Sequence, residues 1–368
     1  MAARRRHPHS RDPVSSQVEL TVVLDNVDGD GQAPGEVAPM TPTLDEELMT
    51  LAITVAAKAR RSASPNPWVG AVVVTSNGTQ FHGATAPVGG PHAEVSALAA
   101  ARAAGAELAG ATLYSTLEPC SHHGRTPPCT DAILAAGVRR VVVGIEDPDQ
   151  RVAGRGLAQL QHGGCDVAVG VCAEQVAEQL RPYLHHRLTG RPYVVLKLAA
   201  TLDGRIAARD GSSQWITSPQ ARLRVHELRA DSNAICTGAG TVRTDDPELT
   251  VRHVEGPNPR RVVVGTAPAN AKVHPCLEWN GPLEGLLDKL GAEGVLQLLV
   301  ESGPRLAASF HRGGLVNRYV LHLAPAFAGG DAPGLFAGDG IETIADLWRG
   351  RVVSVCALGP DLEVVVER

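Results

Sequence analysis

The chain has 368 residues, of which 43% are hydrophobic and 20% charged, with a formal net charge of -5. That length exceeds what one core usually holds and predicts two domains. The charge argues against a nucleic-acid binder, which carries a basic footprint, and no run approaches the roughly 18 apolar residues of a membrane span. Aromatic residues are only 3%, so the core has to be built from Ala, Val and Leu. Seven cysteines follow no disulfide framework, which fits a reducing, cytoplasmic setting.

Residues 1–42 lack sustained apolar periodicity and read as a disordered N-terminal extension, with at most a short strand at Val18–Leu24. Its Arg4-Arg5-Arg6 start is not followed by the apolar core of a secretory signal. Order is expected from Thr43, which can cap a helix with Glu46 completing a capping box. Leu48, Leu51, Ala52, Val55 and Ala59 follow at helical spacing. Val69–Val74 reads as a buried strand, and Asn77-Gly78 as a hairpin turn. A helix over His92–Ala104, a strand over Thr112–Leu117, a helix over Thr130–Ala136, a strand over Val138–Gly144 and a helix over Leu157–His162 come next.

Three of these elements carry one chemical pattern. Pro91-His92-Ala93-Glu94 is followed by Pro119-Cys120 and then Cys129, the ligand order of a zinc-dependent base deaminase. One imidazole and two thiolates fill three tetrahedral positions on Zn²⁺ and leave a fourth for water, whose pKa the metal lowers from about 15.7 towards ~7. Glu94 is the expected proton carrier, taking a proton from that water and passing it to the ring and the departing ammonia. A closed structural site is the competing reading, with His122 or His123 as fourth ligand; it leaves Glu94 without a role. Cys129 at a helix start is in a position that favours the thiolate.

A polar, turn-rich boundary is expected between Tyr183 and Pro192, dividing a domain at 43–185 from one at 191–368. The second half alternates again. Strands are expected at Tyr193–Ala200, Ala234–Thr237, Arg261–Val264 and Gln297–Val300, with helices at Pro219–Ala230, Leu283–Leu290 and Arg305–Arg312. Three closing strands lie around Asn317–Leu323, Val352–Ala357 and Leu362–Val366. This is a mixed α/β domain. Gly238–Thr241 comes directly after a strand, and Glu301–Pro304 stands between a strand and a helix. Both can present backbone N–H groups to a phosphate, and tight turns explain them equally well. Lys197 inside an apolar strand is costly unless paired; Asp203 is the expected partner, and snorkelling to the sheet edge is the alternative. Trp215 fits either the core or a wall for a flat ring.

The chain resembles the bifunctional riboflavin-biosynthesis deaminase–reductases of bacteria from about Glu46 to Glu367. The motifs that carry the resemblance are Pro91-His-Ala-Glu94, Thr116-Leu-Glu-Pro-Cys-Ser-His-His-Gly-Arg-Thr-Pro-Pro-Cys129, Val152-Ala-Gly-Arg-Gly156, Leu202-Asp-Gly-Arg205, Ser213-Gln-Trp-Ile-Thr-Ser218, Thr244-Asp-Asp-Pro247 and Val300-Glu-Ser-Gly-Pro304. The resemblance implies a cytidine-deaminase-like three-layer α/β domain followed by a dihydrofolate-reductase-like α/β domain. It implies deamination of a small phosphorylated pyrimidine, then NADPH-dependent reduction of its ribosyl group to ribityl, and a homo-oligomer formed through the reductase half.

By position it implies His92, Cys120 and Cys129 as zinc ligands, Glu94 as proton shuttle, and Asn66, Ser213, Arg229, Leu249, Arg252 and Glu301 as substrate contacts. Ala199, Trp215, Thr241, Asp245, Thr266 and the run Gly303, Pro304, Arg305, Leu306, Ala307, Ala308 and Ser309 match cofactor contacts. Lys197 and Asp203 fall on shared positions near the reducing site and are expected to be catalytic. The arginines suit a phosphate, which a guanidinium holds through two parallel hydrogen bonds. The chain departs from its relatives in having Thr85 where a His is common and Gly265-Thr266 where Asp-Ser is usual. The segment 266–294 is also short and is expected to lack a strand. A deaminase with an impaired, trimmed reductase half is the alternative that this last departure leaves open.

Overall fold

The computed structural model describes residues 42–124 and 126–368. The expectations for the N-terminal extension, including a strand at Val18–Leu24, therefore lie outside the described residues, apart from Pro42.

Helix α1 (Leu44–Ala57) starts with the capping box, since Thr43 Oγ1 accepts from the Glu46 N–H and the Glu46 carboxylate accepts from the Thr43 N–H. Strands β1 (Gly70–Val74) and β2 (Gln80–Ala84) pair antiparallel around the Asn77-Gly78 turn. Helix α2 (Ala93–Ala103), β3 (Thr112–Leu117), α3 (Cys129–Ala135), β4 (Arg140–Ile145) and α4 (Arg155–His162) lie within two residues of their expected limits. Strand β5 (Asp166–Val169) and helix α5 (Ala173–Thr189) complete the half and were not foreseen.

The sheet runs β2-β1-β3-β4-β5, antiparallel on either side of β1 and parallel from β3 to β5. Helices α1 and α5 pack together on one face, and α2, α3 and α4 form a row on the other, giving three layers. Two glycines make the approach possible. A Cβ on Gly70 would lie 2.0 Å from the Ala52 carbonyl oxygen of α1, and one on Gly83 2.2 Å from the Ala93 carbonyl oxygen of α2. The core between these layers is Ala, Val and Leu almost throughout, as the low aromatic content requires.

The expected turn at His185–Thr189 is instead the last turn of α5, and the chain bends only at Gly190, where φ is +73°. Tyr183 and His186, three residues apart and so on one helix face, are both buried. His186 Nε2 lies 2.9 Å from the Gly291 carbonyl oxygen of the second half. Polar composition suggested a loop because these partners are far away in sequence.

The second half contains β6 (Tyr193–Thr201), α6 (Pro219–Ala230), β7 (Ala234–Gly238), α7 (Ala239–Asp245), β8 (Arg260–Val264), β9 (Leu277–Trp279), α8 (Leu283–Ala292), β10 (Gln297–Glu301), α9 (Pro304–Arg312), β11 (Arg318–Ala324), β12 (Arg351–Leu358) and β13 (Asp361–Glu367). Its sheet is ordered β12-β13-β11-β6-β10-β7-β8-β9, parallel from β11 to β9 and antiparallel across β13 and β12. Residues of α8 and α9 enter the core on one face, residues of α6 and α7 on the other.

The segment 266–294 does contain a strand. Residues of β9 pair parallel with Val262–Val264 of β8, and three residues are too few for an alternation pattern to reveal. Across the junction of the halves, Arg61 Nε is 2.7 Å from Asp231 Oδ1, Arg181 Nη1 is 2.8 Å from Glu367 Oε2, and Asn233 Nδ2 donates to Ser64 Oγ at 2.7 Å. Leu296 of the second half is buried in the core of the first.

Candidate active sites

In the first half, His92 is the residue before α2, Cys120 follows the end of β3, and Cys129 is the first residue of α3. The fold thus brings a helix start, a strand end and a second helix start to one point. His92 Nδ1 lies 3.5 Å from Cys120 Sγ and 3.3 Å from Cys129 Sγ. Donors around a tetrahedral Zn²⁺ at ligand distances of about 2.0–2.3 Å stand roughly 3.5 Å apart, so this donor set fits zinc. The Cys129 N–H donates to Cys120 Sγ at 3.4 Å. Hydrogen bonds from the Cys129 thiol, His92 and that N–H lower the Cys120 pKa to about 4, while the hydrogen bond to Cys120 and burial push the Cys129 thiol up. Thr126 Oγ1, 3.4 Å from His92 Nε2, stands on the outer side of the imidazole.

Glu94 is 3% exposed. Burial, followed by the neighbouring Cys120 charge, raises its pKa to about 7, where a carboxylate can both take and return a proton. Among the described residues the donor cluster contains His92, Cys120 and Cys129 but neither His122 nor His123, which removes the support for a closed four-ligand site. A cavity of about 430 Å³ opens beside the cluster, lined among others by Asn66, Thr85, Glu94, His122 and Arg151. Thr85 Oγ1 is committed to the Val69 backbone, accepting from its N–H at 3.0 Å.

In the second half, the candidate residues gather at the carboxyl ends of parallel strands, where open α/β sheets bind ligands. Glu301 ends β10 and accepts two hydrogen bonds from Arg229 of α6, from Nε at 2.7 Å and Nη2 at 2.9 Å. Arg229 Nη1 also donates to the Thr250 carbonyl, and Arg252 Nη1 to Thr250 Oγ1. Leu249, next to Thr250 in sequence, has φ +54° and is buried at 3% exposure in the apolar core. Gly303 N–H donates to Thr241 Oγ1 at 3.2 Å, so the two glycine junctions foreseen separately are one place. Thr266 follows β8 and is exposed, as is Asp245, the last residue of α7. In α9, Pro304 opens the helix, Arg305 and Ser309 face solvent, and Ala307 and Ala308 are buried.

Lys197 of β6 sits opposite Glu301 in the strand register. Burial lowers its pKa, with Glu301 opposing that shift. Asp203 does not pair with it. Beyond β6 the chain turns at Gly204, φ +75°, and carries Asp203 to the surface, where it accepts from Thr201 Oγ1 and from the Ala328 and Gly329 N–H groups. Ser213 and Trp215 line a second cavity of about 210 Å³ with Thr201 and Arg205. Trp215 is 69% exposed, with the Arg222 guanidinium 4.6 Å from its ring centre, so it is not a core residue. Ala199 lies on β6 opposite His322 of β11.

The family model described as the RibD C-terminal domain matches residues 192–364, and that of the cytidine and deoxycytidylate deaminase zinc-binding region matches residues 42–145. The riboflavin biosynthesis protein RibD of Escherichia coli is 40% identical over 361 residues, covering 86% of this chain and 98% of its own length. That of Aquifex aeolicus is 39% identical, covering 89% and 100%. The chain belongs to the RibD family. Among solved structures, Acinetobacter baumannii RibD is similar at 35% identity and a TM-score of 0.82, covering 88% of this chain and 98% of its own. The deaminase/reductase of Thermotoga maritima is similar at 33% identity and a TM-score of 0.79, with the same coverage.

As a RibD family member the chain is a bifunctional enzyme of riboflavin biosynthesis, a hydrolytic deaminase joined to a reductase. The match across 192–364 and the presence of β9 count against the deaminase-only alternative.

One buried residue of the site wall, Glu118, stands out in the sequence only as part of a motif. It accepts from the Gly156 N–H at 2.8 Å, Gly154 at 3.0 Å, Asp147 at 3.2 Å and Leu157 at 3.4 Å. It ties the end of β3 to the Val152–Gly156 motif. A Cβ on Gly156 would lie 2.0 Å from the Pro119 carbonyl oxygen, which explains the glycine there. A Glu beside the first Cys ligand was the available signal, but its four partners lie 29–39 positions further along the chain. Asp147, accepting from the Tyr183 hydroxyl, was missed for the same reason.

Proposed function

We propose that the first half hydrolyses the 2-amino group of 2,5-diamino-6-(5-phosphoribosylamino)pyrimidin-4(3H)-one, releasing ammonia, and that the second reduces the ribosyl side chain of the product to ribityl with NADPH. The observation that carries the first step is the buried Glu94 beside the His92, Cys120 and Cys129 donors, on the wall of one cavity. These three residues would hold Zn²⁺, which when bound supplies the Lewis acidity that makes water a nucleophile at neutral pH. Glu94 accepts the proton of the attacking water, returns it to the pyrimidine ring nitrogen, and passes a proton to the amino group that leaves as ammonia. Asn66 on the same wall is the group we assign to the pyrimidine.

For the second step, Ser213, Arg229, Leu249, Arg252 and Glu301 are assigned to the phosphorylated substrate. Ala199, Trp215, Thr241, Asp245, Thr266 and the first turns of α9 from Gly303 are assigned to NADPH. The adjacency of Thr241 and Gly303 supports this, because it joins two loops able to offer N–H groups to one phosphate. Reduction consumes a hydride, which NADPH supplies when bound, and a proton, which we assign to Lys197; its register opposite Glu301 supports that role. Asp203 acts as a positioning residue through the 328–329 backbone. We also propose that the enzyme is cytoplasmic and assembles as a homo-oligomer through the reductase half; no described helix is long and apolar enough to cross a membrane.

A coupled assay with the pyrimidine phosphate, following ammonia and NADPH separately, tests the reading. Ammonia release followed by NADPH oxidation supports it. Deamination without any NADPH oxidation on the deaminated product overturns the second half of it.

A further inference from the structure

Outside both cavities the reductase half holds a second set of metal donors. His274, Cys276 and Glu278 present Nδ1, Sγ and a carboxylate oxygen within 4.8 Å of one another. Cys276 and Glu278, two residues apart where the chain enters β9, share a face, and His274 stands just before a bend at Pro275. His274 Nδ1 lies 3.5 Å from Cys276 Sγ, matching the 3.5 and 3.3 Å separations of His92 from its two cysteines.

The outer partners of the cluster are also in place. His274 Nε2 is 2.9 Å from the Pro268 carbonyl oxygen. A carbonyl can only accept, so Nε2 carries the proton and the Nδ1 lone pair faces the thiol. A metal-binding imidazole is commonly oriented in this way by a backbone carbonyl on its far nitrogen. Glu278 Oε1 accepts from the Ala267 N–H at 3.0 Å, which fixes the carboxylate. Cys276 packs against the buried core below the strand, while Glu278 is exposed.

We propose that His274, Cys276 and Glu278 bind a second zinc ion, which clasps the 266–275 loop to the edge strand β9. One imidazole, one thiolate and one carboxylate suit Zn²⁺ over the harder Mg²⁺ or Ca²⁺, which take oxygen ligands. Three protein donors leave a fourth position for water on the exposed side. Neither cavity described above is lined by these residues, so the ion stands apart from both candidate sites. It connects the sheet edge to Ala267, next to Thr266.

The test is the zinc content of the full-length protein after equilibration with excess zinc and removal of loosely bound metal. Two equivalents per chain are expected, falling to one in Cys276→Ser while ammonia release stays at the level of the unmutated enzyme. With zinc, proteolytic cleavage within 266–276 should slow several-fold in the unmutated chain and remain unchanged in Cys276→Ser. A single equivalent in the unmutated chain overturns the proposal without reference to any variant. Two equivalents retained by a folded Cys276→Ser protein overturn the assignment to these residues. If Cys276→Ser fails to fold, Glu278→Gln takes its place, and unaltered zinc content and cleavage in that variant count against the site.

Discussion

In the deaminase half, the three donors that fit zinc and the proposed proton carrier all fall between His92 and Cys129, on two helix starts and one strand end. In the reductase half, the residues proposed for substrate and cofactor come from β6, α6, α7, β10, α9 and the loops that join the elements, between Lys197 and Ser309. The difference reflects the two kinds of ligand. A soft, localised cation needs particular side-chain atoms at tetrahedral separations, and such atoms leave a mark in the residue types. A phosphate or dinucleotide can be held by backbone N–H groups at strand ends, and almost any small residue will serve there. The first site is therefore readable as a motif and the second mainly as a topology.

The sharpest test of that contrast is Glu94→Gln. Removing the proposed proton carrier should cut ammonia release by about 10²–10⁴-fold, with zinc still held by His92, Cys120 and Cys129 and with NADPH oxidation on the deaminated intermediate unchanged. Retained deamination would take Glu94 out of its role.

Glu301→Ala should be the largest perturbation of the other half. It leaves the Arg229 guanidinium, 12% exposed, without its partner, and breaking a buried pair in this way costs about 3–5 kcal/mol. Thermal unfolding should show a destabilised reductase half with NADPH turnover lost, while deamination persists at temperatures where the protein stays folded. Equal loss of both activities would mean that the halves do not act separately.

The next effect is in pH. His226 is buried against Arg229 and Arg252, and burial first, then those charges, lowers its pKa to about 4. The unfolded chain, with a His pKa near ~6.5, binds this proton first, so stability from the neutral form is present above that value. It is lost as pH falls from about 6.5 towards about 4. Denaturant midpoints across that window should decline, and His226→Asn should flatten the decline; an unchanged slope would reassign it to other groups. The smallest effect is expected for Thr241→Val. It removes the acceptor for the Gly303 N–H, which is worth about 1 kcal/mol, and should raise the KM for NADPH several-fold with kcat and deamination little altered. An unchanged KM would separate this junction from the cofactor.

Much of the fold was legible from the chain. The capping box at Thr43, the Asn77-Gly78 turn and the apolar strands sit where local residue chemistry puts them, because each is decided by neighbours within a few positions. The elements that escaped depend on distant partners or are too short to show a period. The end of α5 is buried against Gly291, β9 is three residues long, and α7 spans only seven. The Lys197–Asp203 pairing failed because strand spacing says nothing about the turn at Gly204 that carries Asp203 outward.

What the sequence determined by itself was the metal chemistry. A His, a Glu two residues on, and two cysteines at helix and strand boundaries restrict the possibilities to few reactions. Tertiary structure alone decided how Glu118 reaches the Val152–Gly156 motif, why Arg229 meets Glu301, and that the Gly238 and Gly303 junctions share one hydrogen bond through Thr241. Each of those joins residues separated by 38 to 72 positions. A contact over such a span is set by sheet order and strand register, which no short stretch of residues encodes.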